Sequence, residues 1–123
     1  MQSLSIVIAS NDGQAAGQLA ASLNHHFGTV SVAGTLDEVR HAIPKHRAHV
    51  AVVDLELASV DDVQELAREF NNTSIVCTHR IPDEEMWAAA LAAGAVDCCY
   101  ASDVACIVEA VTRNVKLARS RAA

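Results

Sequence analysis

The stretch His49-Val-Ala-Val-Val-Asp54 constrains this chain more than any other. It is an unbroken apolar run, rich in β-branched residues, and it is closed by an acid. A strand that is apolar on both faces belongs in a parallel sheet covered on both sides. In open α/β sheets of that kind, ligands gather at the carboxyl ends of the strands. The run therefore demands helices from elsewhere in the chain, and it makes Asp54 a candidate site residue.

The rest of the sequence supplies those helices. Apolar strand-like runs are predicted at Leu4–Ser10, Thr29–Ala33, His49–Asp54, Ser74–Thr78 and Val96–Tyr100. Helical periodicity is predicted at Gln14–Phe27, Leu36–His46, Val60–Phe70, Asp83–Ala93 and Asp103–Ser120. Strict strand–helix alternation argues for one α/β domain over residues 1–123, with a doubly wound parallel sheet and right-handed crossovers. Neither a linker-like segment nor an internal repeat interrupts it.

Local chemistry marks the boundaries. In the first helix Ala16, Leu19, Ala20, Leu23 and Phe27 recur at helical spacing. Thr35-Leu-Asp-Glu38 has the form of a capping box. Ser59 is placed to cap the third helix, with Asp61 and Asp62 at its positive end. Gly94 is placed to end the fourth helix, and Ser102 or Asp103 to start the fifth.

Composition narrows the functional classes. Apolar residues make up 51% of the chain but aromatics only 3%, so Ala, Val, Ile and Leu must build the core. The formal charge of −6, from 9 basic and 15 acidic residues, offers no basic face for nucleic acid. No apolar run is long enough to span a bilayer. The opening Met-Gln-Ser-Leu-Ser lacks a basic signal-peptide region, so a cytoplasmic location is the expectation.

Two helices suggest contact surfaces. Met86-Trp-Ala-Ala-Ala-Leu-Ala-Ala93 carries no polar residue, and Trp87 is the only tryptophan. A helix that is apolar all round is covered on more than one side. The fifth helix bears Val104, Val108, Val111, Val115 and Ala118 at 4-3-4-3 spacing, with Arg113, Lys116, Arg119 and Arg121 towards its end. That stripe fits a helix lying on the sheet, and equally one meeting a partner. Trp87 and Val111 are the interface candidates, with a homodimer or another protein as the partner.

Taken together, Val-Val-Asp54-Leu, Ile75-Val-Cys-Thr78 and Ala93-Gly-Ala-Val-Asp97, in this strand–helix order, resemble the receiver domain of two-component response regulators. The resemblance covers essentially the whole chain. It implies a CheY-like, flavodoxin-like sheet of strand order 2-1-3-4-5, and an output domain beyond residue 123 would fit it. It implies that Asp54 is the acceptor of a phosphoryl group from a histidine kinase, and that Thr78 contacts that group. It also implies an acid pair holding Mg²⁺ after the first strand, a lysine after the fifth, and an aromatic switch residue shortly before that lysine.

Several of those family positions have changed. The apolar run aligns Ser10 and Asn11 with the acid pair; a slip of one residue aligns Asn11 and Asp12 instead. Asn11, Asp12 and Asp54 are the metal candidates, and at least one acid is missing on either alignment. The lysine position falls on Ala101, the proline that often follows it is Ser102, and the switch aromatic is Cys98. The loop after Asp54 has Ala58 and Asp62 in place of the usual proline and glycine. Mg²⁺ needs hard oxygen ligands, and phosphoryl transfer needs charge neutralised in the transition state. These losses predict weak Mg²⁺ binding at most, no other cofactor, and an atypical receiver acting through protein contacts. A receiver still phosphorylated on Asp54 and a small-ligand sensor at the same edge are the alternatives.

Other motifs point away from enzyme chemistry. Asn11-Asp-Gly13 is a tight turn, not a phosphate-binding glycine loop, and no nucleophile elbow is present. His25, His26, His41, His46 and His49 lack zinc-site spacing. His79, just after Thr78, either lines or covers the pocket of Asp54. Cys77, Cys98, Cys99 and Cys106 read as small core residues, and adjacent Cys98 and Cys99 point to opposite faces of a strand.

Overall fold

The computed structural model describes residues 4–122, with side chains described up to residue 114. Five strands form one parallel sheet: β1 Leu4–Ala9, β2 Gly28–Ala33, β3 Val50–Asp54, β4 Ser74–His79 and β5 Asp97–Tyr100. They alternate with α1 Gly13–Phe27, α2 Leu36–His46, α3 Val60–Glu69, α4 Glu84–Ala93 and α5 Val104–Ala122. The strand order is β2-β1-β3-β4-β5, as the resemblance implied.

Strand alternation divides the core in two. Val7, Ala9, Ala51, Val53, Ile75, Cys77 and Cys98 face one way, against Val39 and Ile43 of α2, Val63 and Leu66 of α3, and Ala90 of α4. Ile6, Ile8, Val50, Val52, Val76 and Cys99 face the other, against Leu23 and Phe27 of α1 and Ile107 and Val111 of α5. Each central strand is apolar on both sides because each side is roofed by helices. Burying a Val, Leu or Ile side chain contributes about 1.5–3 kcal/mol.

The termini use the expected chemistry with one variation. Ser59 and Asp62 form a complete capping box on α3. Thr35 accepts from the Glu38 amide at 3.1 Å, but the Glu38 carboxylate accepts from Gly34 N–H at 3.0 Å, one residue earlier than a capping box requires. Asp103 caps α5 by accepting from Cys106 N–H at 3.0 Å. Gly94 ends α4 at φ +116°, and a Cβ there would lie 2.7 Å from Ala67 Cβ of α3. Only glycine satisfies both the backbone and the packing.

Two readings of α4 and α5 are corrected. Val111 is fully buried in the domain's own core, so it is not an interface residue. The buried face of α5 runs through Ile107, Ala110, Val111 and Asn114, whereas Val104 and Val108 of the predicted stripe are only partly buried; Lys116, Arg119, Arg121, Val115 and Ala118 lie outside the residues with described side chains. Arg113 pairs with Asp97 of β5 at 3.0 Å. On α4, Ala90 and Ala93 are buried while Trp87 is 47% exposed, so one face of this apolar helix is open.

Candidate functional site

The carboxyl edge of the sheet gathers the predicted residues in register. Asp54 closes β3, directly opposite Thr78 of β4. Leu55 N–H donates to the Thr78 carbonyl at 2.8 Å, which extends the ladder one step past Asp54. Thr78 is buried and Asp54 half-buried. Beside them β1 stops at Ala9, one residue before its predicted end. Ser10 still donates its amide to the Ala33 carbonyl, then turns so that its hydroxyl accepts from Asp12 N–H at 3.2 Å.

Beneath Asp54 lies a cavity of about 30 Å³, lined by Ser10, Asp54, Thr78 and Ala101 over Ile8 and Val52. It is far too small for an organic ligand, which takes roughly 300 Å³ or more. Above it an open cleft of about 400 Å³ is lined by Asp12, Asp54, Glu56, Arg80, Ala101 and Ser102. Ala101 lines both. Its amide donates to the His79 carbonyl at 2.8 Å, so the loop after β5 is anchored beside β4 and presents a methyl group to Asp54's surroundings. Asn11 is exposed and lines neither space.

Burial raises the pKa of Asp54 above the ordinary value of 3.8. The Glu56 N–H, donating to Asp54 Oδ1 at 2.9 Å, opposes that rise, the Glu56 charge adds to it, and His79 and Arg80 oppose it. His79 itself lines neither space; its Nδ1 accepts from Ile81 N–H at 3.1 Å.

Glu56 and Arg80 are site residues that sequence reasoning missed. Arg80 Nε donates to Glu56 Oε1 at 3.1 Å across the mouth of the cleft. Each lies two residues beyond a strand-end site residue, Asp54 or Thr78. That shared spacing at the ends of paired strands is the signal that could have found them.

The donors present do not form a tight divalent-cation site. One oxygen of Asp12 is committed to capping α1 through Ala15 N–H at 3.1 Å, one oxygen of Asp54 to Glu56 N–H, and Glu56 to Arg80. Among the described residues no three His, Cys, Asp or Glu side chains converge closely enough to hold a metal ion. The charge-rich triad of oxygens that Mg²⁺ favours is not assembled here. Among the same residues no helix is long and apolar enough to cross a membrane.

No protein-family model matches the sequence, and no curated protein matches it. Solved structures do. A CheY-like receiver domain from Methanospirillum hungatei superposes with a TM-score of 0.83 at 15% identity, covering 98% of this chain and 99% of its own. A response regulator from Thermotoga maritima gives 0.84 at 15% identity, covering 93% and 98%. The structure described as FixJ-N gives 0.81 at 23% identity, covering 94% and 96%. With the strand order and the placement of Asp54 opposite Thr78, these likenesses establish that the chain has the CheY-like fold of response-regulator receiver domains.

Proposed function

We propose that this domain is a signalling module of the receiver type, not an enzyme, which acts through protein contacts with little or no phosphorylation of Asp54. The observation that carries this reading is Ala101, a methyl group bordering both the cavity and the cleft at Asp54. Among the residues with described side chains, a phosphoryl group on Asp54 would meet no cation from the loop after β5. On the β4 side the nearest cation, Arg80, is already paired with Glu56, whose own charge repels an incoming anion. Transition-state neutralisation and the pull that would drive a conformational switch are both weakened. Weak Mg²⁺ binding belongs to the same reading, because the acid pair is incomplete.

One observation favours a second reading, a receiver phosphorylated by a histidine kinase. Arg80 is near enough to Asp54 to favour its charged form, and an exposed ion pair worth about 0–1 kcal/mol is easily exchanged for a new anion. Incubation with a small phosphodonor and Mg²⁺, followed by intact mass measurement, separates the two. The native protein is expected to stay unmodified, while Ser10→Asp/Asn11→Asp/Ala101→Lys gains one phosphoryl group. Stoichiometric modification of the native protein, lost in Asp54→Asn, would establish the second reading.

A further inference from the structure

Cys99 and Cys106 are seven residues apart in sequence, and the fold brings their sulfurs to 2.7 Å. Cys99 sits on β5 with its side chain in the core shared with α1 and α5, 2% exposed. Cys106 is in the first turn of α5 and is partly exposed. Its position is fixed independently: Asp103 accepts from the Cys106 amide, and Asp103 N–H donates to the Tyr100 carbonyl at 3.0 Å. The separation exceeds a disulfide bond of about 2.0 Å by about 0.7 Å. Cys98 points to the other face of the sheet with Cys77, in the opposite core cluster.

We propose that Cys99 and Cys106 form an oxidisable dithiol, a modification site for hydroperoxides that closes a disulfide across the loop carrying Ala101 and Ser102. The partly exposed sulfur reacts first. The Cys106 thiolate attacks the terminal oxygen of the hydroperoxide, the O–O bond breaks, and the sulfur becomes a sulfenic acid as alkoxide, or hydroxide from hydrogen peroxide, leaves and takes up the proton that the thiol had released. Cys99 sulfur then attacks the Cys106 sulfur, the S–O bond breaks, and the thiol proton leaves with that oxygen as water. Two thiols and one hydroperoxide thus give one disulfide, one water and one alcohol, or two waters from hydrogen peroxide.

The chemistry divides between the two residues. Burial pushes the Cys99 thiol up, and its hydrogen bond with Cys106 pushes it further, so Cys99 is a poor first nucleophile. It is nevertheless already in contact with the sulfur it must attack. In a reducing compartment such a pair rests as thiols and oxidises only transiently. The bridge would tie β5 to α5 on either side of the residue that replaces the family's lysine. This holds whether or not Asp54 is phosphorylated.

The test is oxidation of the full chain by near-stoichiometric hydrogen peroxide, then trapping of remaining thiols and mass mapping after cleavage before Asp103. That cleavage separates the two sulfurs, so a linked pair of peptides reports the bridge directly. The expected product has lost two hydrogens, links Cys99 to Cys106 within one chain, and returns to thiols with a reductant. Cys98→Ala should leave it unchanged, whereas Cys106→Ser should abolish it. Sulfinic acid on Cys106 with Cys99 still free, a link between chains, or a link to Cys98 would each overturn the proposal. Mapping the native protein decides the matter even if a substitution at Cys99 impairs folding.

Discussion

Asp54 and Thr78 are paired across β3 and β4 at the last step of the ladder, so a half-buried carboxylate and a buried hydroxyl share one edge. That edge is polar at its rim and apolar immediately beneath, with Val52 and Ile8 forming the floor. The pairing fixes where Asp54 sits, and burial there raises its pKa.

The consequence for stability has a definite sign. A carboxyl whose folded pKa is raised binds its proton more tightly in the native than in the unfolded state. Its contribution is therefore most favourable below the unfolded value near 3.8, falls as pH rises through the raised value, and is constant above it. Asp54→Asn keeps an acceptor for Glu56 N–H but removes the charge. Its thermal midpoint is expected to exceed the native one at neutral pH, with the gap closing as pH falls towards 4. Melting curves from acid to neutral pH check this; a variant less stable at pH 7 would contradict it.

Ser10 gives a metal-linked prediction. It is 8% exposed and lines the cavity beside Asp54, so an aspartate there places a second carboxylate against the first. Without metal, Ser10→Asp should lower stability by about 1–3 kcal/mol, the usual range for a poorly satisfied buried polar group. Mg²⁺ should restore much of that loss, because a ligand binding only the native state stabilises it. Native protein should show little Mg²⁺-dependent change in the same melt. A native midpoint that climbs with millimolar Mg²⁺ would mean that Asp12, Asp54 and Glu56 rearrange into a site.

Much of the fold was legible because its strands carry their burial in their composition. Val-Ala-Val-Val of β3 and Ile-Val-Cys of β4 are apolar on both faces, the composition of strands in a parallel sheet with helices on both sides. Asp54 and Thr78 were legible because each ends such a run. Glu56 and Arg80 were missed because they lie in exposed loops outside any apolar period, where only their shared offset of two residues past Asp54 and Thr78 marks them. Val111 was misread because 4-3-4-3 spacing describes a helix on its own sheet as well as one on a partner, and sequence does not say which surface fills the stripe. The Cys99–Cys106 approach was hidden because it spans a turn from strand to helix. Reading Cys98 and Cys99 as neighbours on one strand found the opposite faces but not the sulfur across the turn.

Gly94 is the position at which a single methyl should be felt most. Its φ of +116° is strained for any side chain, and the added Cβ would press on Ala67 of α3 at 2.7 Å. The two effects act together, because relieving one moves the backbone that defines the other. Gly94→Ala should cost about 1–3 kcal/mol in denaturant unfolding. The unfolding slope should be unchanged. Gly17 in α1, where a Cβ meets nothing within 4 Å, is the control: Gly17→Ala should be stabilising by about 0.5–1 kcal/mol.

The open face of α4 gives the prediction that bears most on how the domain acts. Trp87 is 47% exposed, its neighbour Ala88 is exposed, and Tyr100 on the adjoining β5 is 50% exposed. An exposed tryptophan on an apolar helix is the kind of residue that dominates an interface. A symmetric pair of copies is the simplest occupant. Sedimentation of unmodified protein over a wide concentration range is expected to show a dimer, and Trp87→Glu should weaken it by at least about tenfold, or 1.4 kcal/mol. Val111→Ala serves as the contrasting variant. Val111 is buried against the sheet, so its truncation should cost about 2 kcal/mol of folding stability while leaving self-association of the folded fraction intact. A strict monomer at every concentration, or a dimer indifferent to Trp87→Glu, would remove α4 as the contact surface. A dimer formed only after phosphodonor treatment would mean that Asp54 still controls this face.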